Sequence, residues 1–181
     1  RERTPHLIVE CDPRLVSIFT RSFAGIEFVA RTSPLDPRLI GKDIEAQIAL
    51  CSLPWALELD GTTIGSAGPY LAADPVRTEA VAAQLSGLDD RLRVGIAWRS
   101  IRETALTKRV HAPLSRWRKV LQVPGISFVN IQYGDCEREL KLVETEFGVY
   151  VHRHGEIDLF RDIEGVMALG ANLDMVISSA T

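Results

Sequence analysis

From Arg93 onward the chain alternates short apolar runs with stretches of helical spacing, and no other feature restricts the fold as strongly. Strand signals cover Arg93 to Trp98, Ile126 to Gln132, Val149 to His152 and Asp174 to Ser178. Between them, helices are expected from about Pro113 to Gln122, from Asp135 to Phe147 with Gly148 as the stop, and from Leu159 to Leu169. Neighbouring parallel strands need a crossover, and a helix is the usual one, so the pattern predicts an α/β fold with a Rossmann-like parallel sheet flanked by helices.

The first half carries a weaker version of the same pattern. Leu7 to Cys11 reads as a strand, and Asp12-Pro13 as an N-cap with proline in the first helical turn. Leu15, Val16, Ile18 and Phe19 then fall on one helical side up to Gly25, before a second strand over Ile26 to Val29 and a third over Ala46 to Leu50. Residues 52–71 are expected to be loop, broken by Pro54, Gly61, Gly65, Gly68 and Pro69. Asp74-Pro75 repeats the cap and opens a helix to Leu85. The expected organisation is therefore a first domain over 1–72, a linker helix over 73–90 and a second domain over 91–181.

Composition removes several function classes. The chain has 181 residues, 46% of them hydrophobic, and its 21 basic against 24 acidic residues give a net charge of -3. That suits a packed core and provides no positive field for a nucleic-acid backbone. Cys11, Cys51 and Cys136 are odd in number and far apart, which argues against a disulfide framework or a structural zinc. No run approaches the length of a membrane span, and no signal-peptide core follows Arg1, so a cytoplasmic chain is expected. Both ends read as cuts within a longer protein. The apolar runs at Leu7 to Val9 and Met175 to Ile177 would present sheet edges, for which self-association is the expected outlet.

Ligands of parallel sheets bind beyond the carboxyl ends of the strands, which directs attention to four segments. The first, Trp98 to Arg109, holds the cations Arg99, Arg102, Lys108 and Arg109 and the hydroxyls Ser100, Thr104 and Thr107, a set suited to a diphosphate or to an ordinary solvated loop. Gln132, Tyr133 and Gly134 place an amide, a ring and a turn before a helix; they fit a nucleobase or a sheet cap. Ser178, Ser179 and Thr181 would lead into a helix N-terminus able to seat a phosphate. His152, His154 and Glu156 mimic a metal cluster but lack a further ligand, so no metal is expected; His111 is the one remaining histidine with a functional position. Neither GxGxxG nor a P-loop occurs, which disfavours a dehydrogenase, an epimerase or an NTPase. Ser66, Ser100 and Ser115 lie in no nucleophile elbow.

In the segments Val94-Gly95-Ile96-Ala97-Trp98-Arg99, Phe128 to Cys136 and Leu173 to Ser178, with Val9-Glu10-Cys11-Asp12-Pro13-Arg14-Leu15 and Arg21-Ser22-Phe23 upstream, the chain resembles the bacterial glycosyltransferase region that follows tetratricopeptide repeats. That region is similar to heptosyltransferases and, more distantly, to protein O-GlcNAc transferases. The resemblance implies a GT-B architecture of two Rossmann-like domains, each incomplete here: the later part of an acceptor-side domain over 1–72 and a truncated nucleotide-sugar-binding domain over 91–181. It implies metal-independent, inverting transfer from a nucleotide sugar, with no further cofactor, to a protein such as flagellin or to a surface glycan. Arg99, Ser100 and Lys108 would face the diphosphate, Gln132 and Tyr133 the base and ribose, and Ser179 and Thr181 the phosphate or sugar, with Trp98, Arg109, Gly134 and Ser178 also among the donor-binding residues. The catalytic base would precede Arg1, and Ala180 stands where the family commonly has Asp. A non-catalytic, degenerate transferase domain that serves protein contacts is the alternative.

Overall fold

The computed structural model describes residues 6–59, 68–88, 91–100, 112–155 and 157–179. The chain divides into two compact units, Arg1–Ala72 and Ala73–Thr181.

In the first unit, β1 (Ile8–Cys11) and β2 (Glu27–Ala30) pair in parallel, with Val9 opposite Phe28. The crossover between them begins at Asp12, whose carboxylate accepts from Arg14 N at 2.9 Å and so caps a 3₁₀ turn over Pro13–Leu15. The Arg14 guanidinium returns to the same carboxylate and holds its pKa at about 2. Helix α1 (Val16–Ser22) follows and buries Ile18 with Cys11 and Val29. Beside them the rings of Phe19, Phe23 and Phe28 meet at 5.4 to 6.1 Å, and Tyr70 reaches Phe23 at 6.1 Å. The sequence Asp-Pro-Arg-Leu recurs at 36–39 and builds the same capped turn, again with its aspartate at about 2.

The strand expected over Ala46 to Leu50 is not formed. These residues are exposed and irregular, and they lead into a 3₁₀ turn at Leu50–Ser52 and the short helix α2 (Leu53–Ala56), with Pro54 in its first turn. An apolar run with no strand beside it has no ladder for its backbone N–H groups, and turn-forming neighbours then prevail.

The second unit contains α3 (Pro75–Gln84), β3 (Leu92–Ala97), α4 (Arg118–Leu121), β4 (Ile126–Asn130), α5 (Glu137–Phe147), β5 (Val151–His152), α6 (Ile163–Gly170) and β6 (Met175–Ser178). Its four strands are all parallel, in the order β5-β4-β3-β6. The chain thus steps from β3 outward to β5 and then returns to the other side of β3.

Alternation along the strands sorts the core into two faces. Val94, Ile96 and Phe128 pack with Trp98, Leu114, Trp117, Leu140 and Val143. Val129 points the other way, onto Val81 of α3, the Leu85 that follows it, and Ala168 and Leu169 of α6. Helix α3, expected as a linker, is therefore a core element of the second unit; the Asn172 side chain fixes it by donating to Thr78 O at 3.0 Å and to Ala168 O at 2.9 Å.

Two helices differ from expectation. Over 113–122 a 3₁₀ turn at Leu114–Arg116 precedes the single turn of α4. The last helix starts at Ile163 because the Asp158 carboxylate accepts from Phe160 N and Arg161 N, both at 3.0 Å, and closes a separate turn. Helix α5 ends at Gly148, which takes φ 66, a left-handed conformation natural to glycine.

Asp162 caps α6 by accepting from Gly165 N at 3.0 Å and makes a two-pronged ion pair with Arg77 of α3. Hydrogen bonding from Arg77 holds the Asp162 carboxyl below its ordinary range. A depressed folded-state pKa adds stability that is complete above the unfolded value, near 3.9, and is lost as pH falls through the folded one. Asp162→Asn keeps a capping oxygen and removes the charge. The variant is expected to lose about 1 kcal/mol at pH 7, the pair being partly exposed, with urea midpoints converging on the parent's as pH falls through the folded-state pKa of Asp162. A gap that stays constant with pH would contradict this.

Candidate functional site

The carboxyl ends of β3 and β4 are joined by one side chain. Gln132, 1% exposed, accepts through Oε1 from both Trp98 N and Arg99 N at 2.9 Å. Its Nε2 donates to Arg99 O and Tyr133 O, also at 2.9 Å each. Asn130 supports it from below, with Oδ1 accepting from Gln132 N at 3.0 Å. The amide thereby extends the ladder past the last strand pair. The resemblance gives this amide to a base or ribose; in the structure its hydrogen-bonding atoms are engaged with backbone, which holds the Trp98 to Ser100 segment in place.

Trp98 and Arg99 are held from a second direction by Glu139 of α5. The buried Trp98 indole donates from Nε1 to Glu139 Oε1 at 2.8 Å, and Arg99 donates from Nε and a terminal nitrogen to Oε2 at 3.0 and 2.8 Å. Arg99 also reaches Asp135 O at 2.7 Å. Hydrogen bonding to Glu139 raises the guanidinium pKa further, so the charge is permanent and locally compensated. Trp98 belongs to the core and not to the surface of the site.

Beyond this frame the structure brings together groups from three loops. Ser100 Oγ lies 3.3 Å from Tyr133 OH, and the Tyr133 ring lies 5.8 Å from that of Phe160, tilted by 34°. Gly134 takes φ 82, which turns the chain from β4 toward α5 next to that ring. At the end of β6, Ser179 N donates to Ala97 O at 2.9 Å, while Ser178 Oγ donates to Ser179 O at 2.8 Å. The buried Ser179 hydroxyl has no hydrogen-bond partner among the described residues. These two serines lie where the strand order reverses, between β3 and β6. Lys108, Arg109 and Thr181, with Arg102, Thr104, Thr107 and His111, lie outside the described residues.

Among the described residues no three His, Cys, Asp or Glu side chains cluster so that they could hold a metal ion. His154 shares a hydrogen bond of 2.8 Å between Nε2 and Asn130 O, its buried Nδ1 has no partner among the described residues, and burial lowers its pKa, as it does that of His152. A cavity of about 560 Å³ lies at the opposite end of the sheet, lined by Leu121, Pro124, Ile126, Tyr150 and His152 among others. No described helix is long and apolar enough to cross a membrane.

Two residues of the site, Glu139 and Phe160, were not singled out in the sequence. A glutamate in an amphipathic helix reads as solvated, whereas Phe160 carried a signal: a ring in an otherwise polar turn after a strand.

No protein-family model and no solved structure matches the chain. Among curated proteins it is similar to Protein FlbA of Caulobacter vibrioides, at 32% identity over 186 residues that cover 97% of this chain and 31% of that protein. The chain thus spans about a third of the length of that relative.

Proposed function

We propose that the second unit is the nucleotide-sugar-binding half of a metal-independent, inverting glycosyltransferase of GT-B type, with the first unit belonging to a Rossmann-like acceptor-side domain. The observation that carries this reading is the meeting of Ser100, Tyr133 and Phe160 at the carboxyl edge of a parallel sheet whose strand order reverses at β3. Such edges are where doubly wound sheets take nucleotides. The sequence resemblance supplies the reaction. The similarity to FlbA carries no statement of chemistry.

In this reading the Ser100 and Tyr133 hydroxyls donate to ribose or phosphate oxygens, and the rigid frame of Gln132 and Glu139 keeps them in place before the ligand arrives. Lys108 and Arg109 stabilise the departing nucleoside diphosphate electrostatically as the sugar leaves. Arg99, already neutralised by Glu139, contributes position more than charge. The acceptor is a protein such as flagellin or a surface glycan, the setting is the cytoplasm, and tetratricopeptide repeats accompany the region in its parent protein.

That same compensation of Arg99 favours the second reading, a degenerate domain retained for protein contacts. Calorimetric titration of the full-length protein with UDP, GDP, ADP and CMP separates the two. One nucleotide is expected to bind saturably, and Ser100→Ala combined with Tyr133→Phe to weaken it about tenfold, the effect of losing about 1.4 kcal/mol of hydrogen bonding. Silence from the whole panel would favour the non-catalytic domain.

A further inference from the structure

We infer that Phe160 is a base-stacking residue of the nucleotide site; this rests on the nucleotide-binding reading above and adds to it a residue from a third loop. The ring is 59% exposed, yet the turn that carries it is held by its own hydrogen bonds. Asp158 accepts from Phe160 N and Arg161 N through its carboxylate and from Asp162 N through its carbonyl at 2.8 Å. Asp162 is in turn held by Arg77. The preceding Leu159 packs against the core under α3 and α6, anchoring the turn from within while Phe160 is turned outward.

A rigid backbone under an exposed aromatic ring is the arrangement of a binding anchor: apolar area is offered at little cost in ordering. The neighbours define what it takes. The Tyr133 ring lies 5.8 Å away and enlarges the aromatic surface, and the Tyr133 hydroxyl lies 3.3 Å from that of Ser100. A ligand that spans these groups has a flat π-system at one end and oxygen-rich, hydrogen-bonding groups at the other. A nucleoside diphosphate is such a molecule. Its base would lie on the Phe160 and Tyr133 rings, with ribose and phosphates toward Ser100. Stacking is tolerant of base identity, so Phe160 supplies affinity and not the choice of base.

The test is titration of the full-length protein and its Phe160→Ala and Phe160→Tyr variants with the nucleoside diphosphate that the parent binds, and with inorganic pyrophosphate, which has no base. Phe160→Ala is expected to weaken the nucleotide roughly 5- to 100-fold and leave pyrophosphate unchanged, while Phe160→Tyr stays within about threefold of the parent. Equal thermal midpoints for parent and variants confirm that the fold is intact. Nucleotide binding unchanged in Phe160→Ala would overturn the stacking role and leave the nucleotide site standing. Equal weakening of nucleotide and pyrophosphate would overturn it as well, by showing that the residue acts through the fold. A parent that binds no nucleotide would overturn both readings together.

Discussion

Replacing Gln132 by Leu is expected to destabilise the second unit by about 3 kcal/mol and to lower its thermal midpoint by roughly 10 °C. The shape is kept and the hydrogen-bonding atoms are removed. Trp98 N–H and Arg99 N–H lose their shared acceptor, and Arg99 C=O and Tyr133 C=O lose a donor. Leaving a buried polar group unpaired costs about 1–3 kcal/mol. Urea unfolding of the two proteins measures the difference. Gln132→Glu sharpens the point, because its carboxylate keeps an acceptor for the two amides but sets a charged oxygen against two carbonyls. Its folded-state pKa is therefore raised, its neutral form is the favoured one, and its deficit relative to the parent is smaller at pH 4 than at pH 7. A Gln132→Leu protein as stable as the parent would mean that the strand ends are held by other contacts.

Gly95→Val is expected to cost about 2–3 kcal/mol. Gly95 lies in central strand β3, and a Cβ placed on it would stand 2.6 Å from Leu173 Cδ1 and 3.2 Å from Ile131 Cδ1. Both neighbours flank the Val129, Ala168 and Leu169 cluster, which closes over the strand because no side chain intervenes. A single methyl can be met by rotation of Leu173, so Gly95→Ala is the milder change, whereas the branched valine collides with Ile131 as well. Chemical denaturation of Gly95→Val with and without Leu173→Ala isolates the cause. Partial recovery in the double variant is expected; an additive loss would place the strain elsewhere in the strand.

The four strands of the second unit were legible because each is a branched apolar run between breakers, and in a sheet covered on both faces that pattern has few other outlets. Ala46 to Leu50 has the same apolar character and forms no strand, since a run of residues does not disclose whether a partner lies beside it. Helix starts were less legible than strands: Asp158 and Asp162 are both plausible caps, and only the chain path decides that Asp158 closes a turn while Asp162 begins α6. In the site, strand-end reasoning selected Ser100 and Tyr133, which the fold brings within 3.3 Å of each other. It also selected Gln132 and Trp98 by residue type, yet type does not reveal whether an amide faces a ligand or closes on its own backbone. Glu139 was out of reach for a related reason, as its partners lie on a loop 40 residues earlier.

The strand order also bears on when the switch point can come into being during assembly. Trp98 and Gln132, which lock β3 to β4, are 34 residues apart, whereas Arg93 and Asp174, which join β3 to β6 by a backbone bond of 2.7 Å to the aspartate side chain, are 81 apart. Closing the longer loop costs only about 0.8 kcal/mol more in chain entropy, so the delay is one of connectivity more than of energy. Three strands and the Gln132 lock can exist in a chain whose β6 is still free. The reversal at β3 cannot, because it is defined by β6 alone. A nascent chain therefore gains its Tyr133 edge before it gains the end of β6 at Ser179, and a protein halted between those stages would hold a sheet but no switch point.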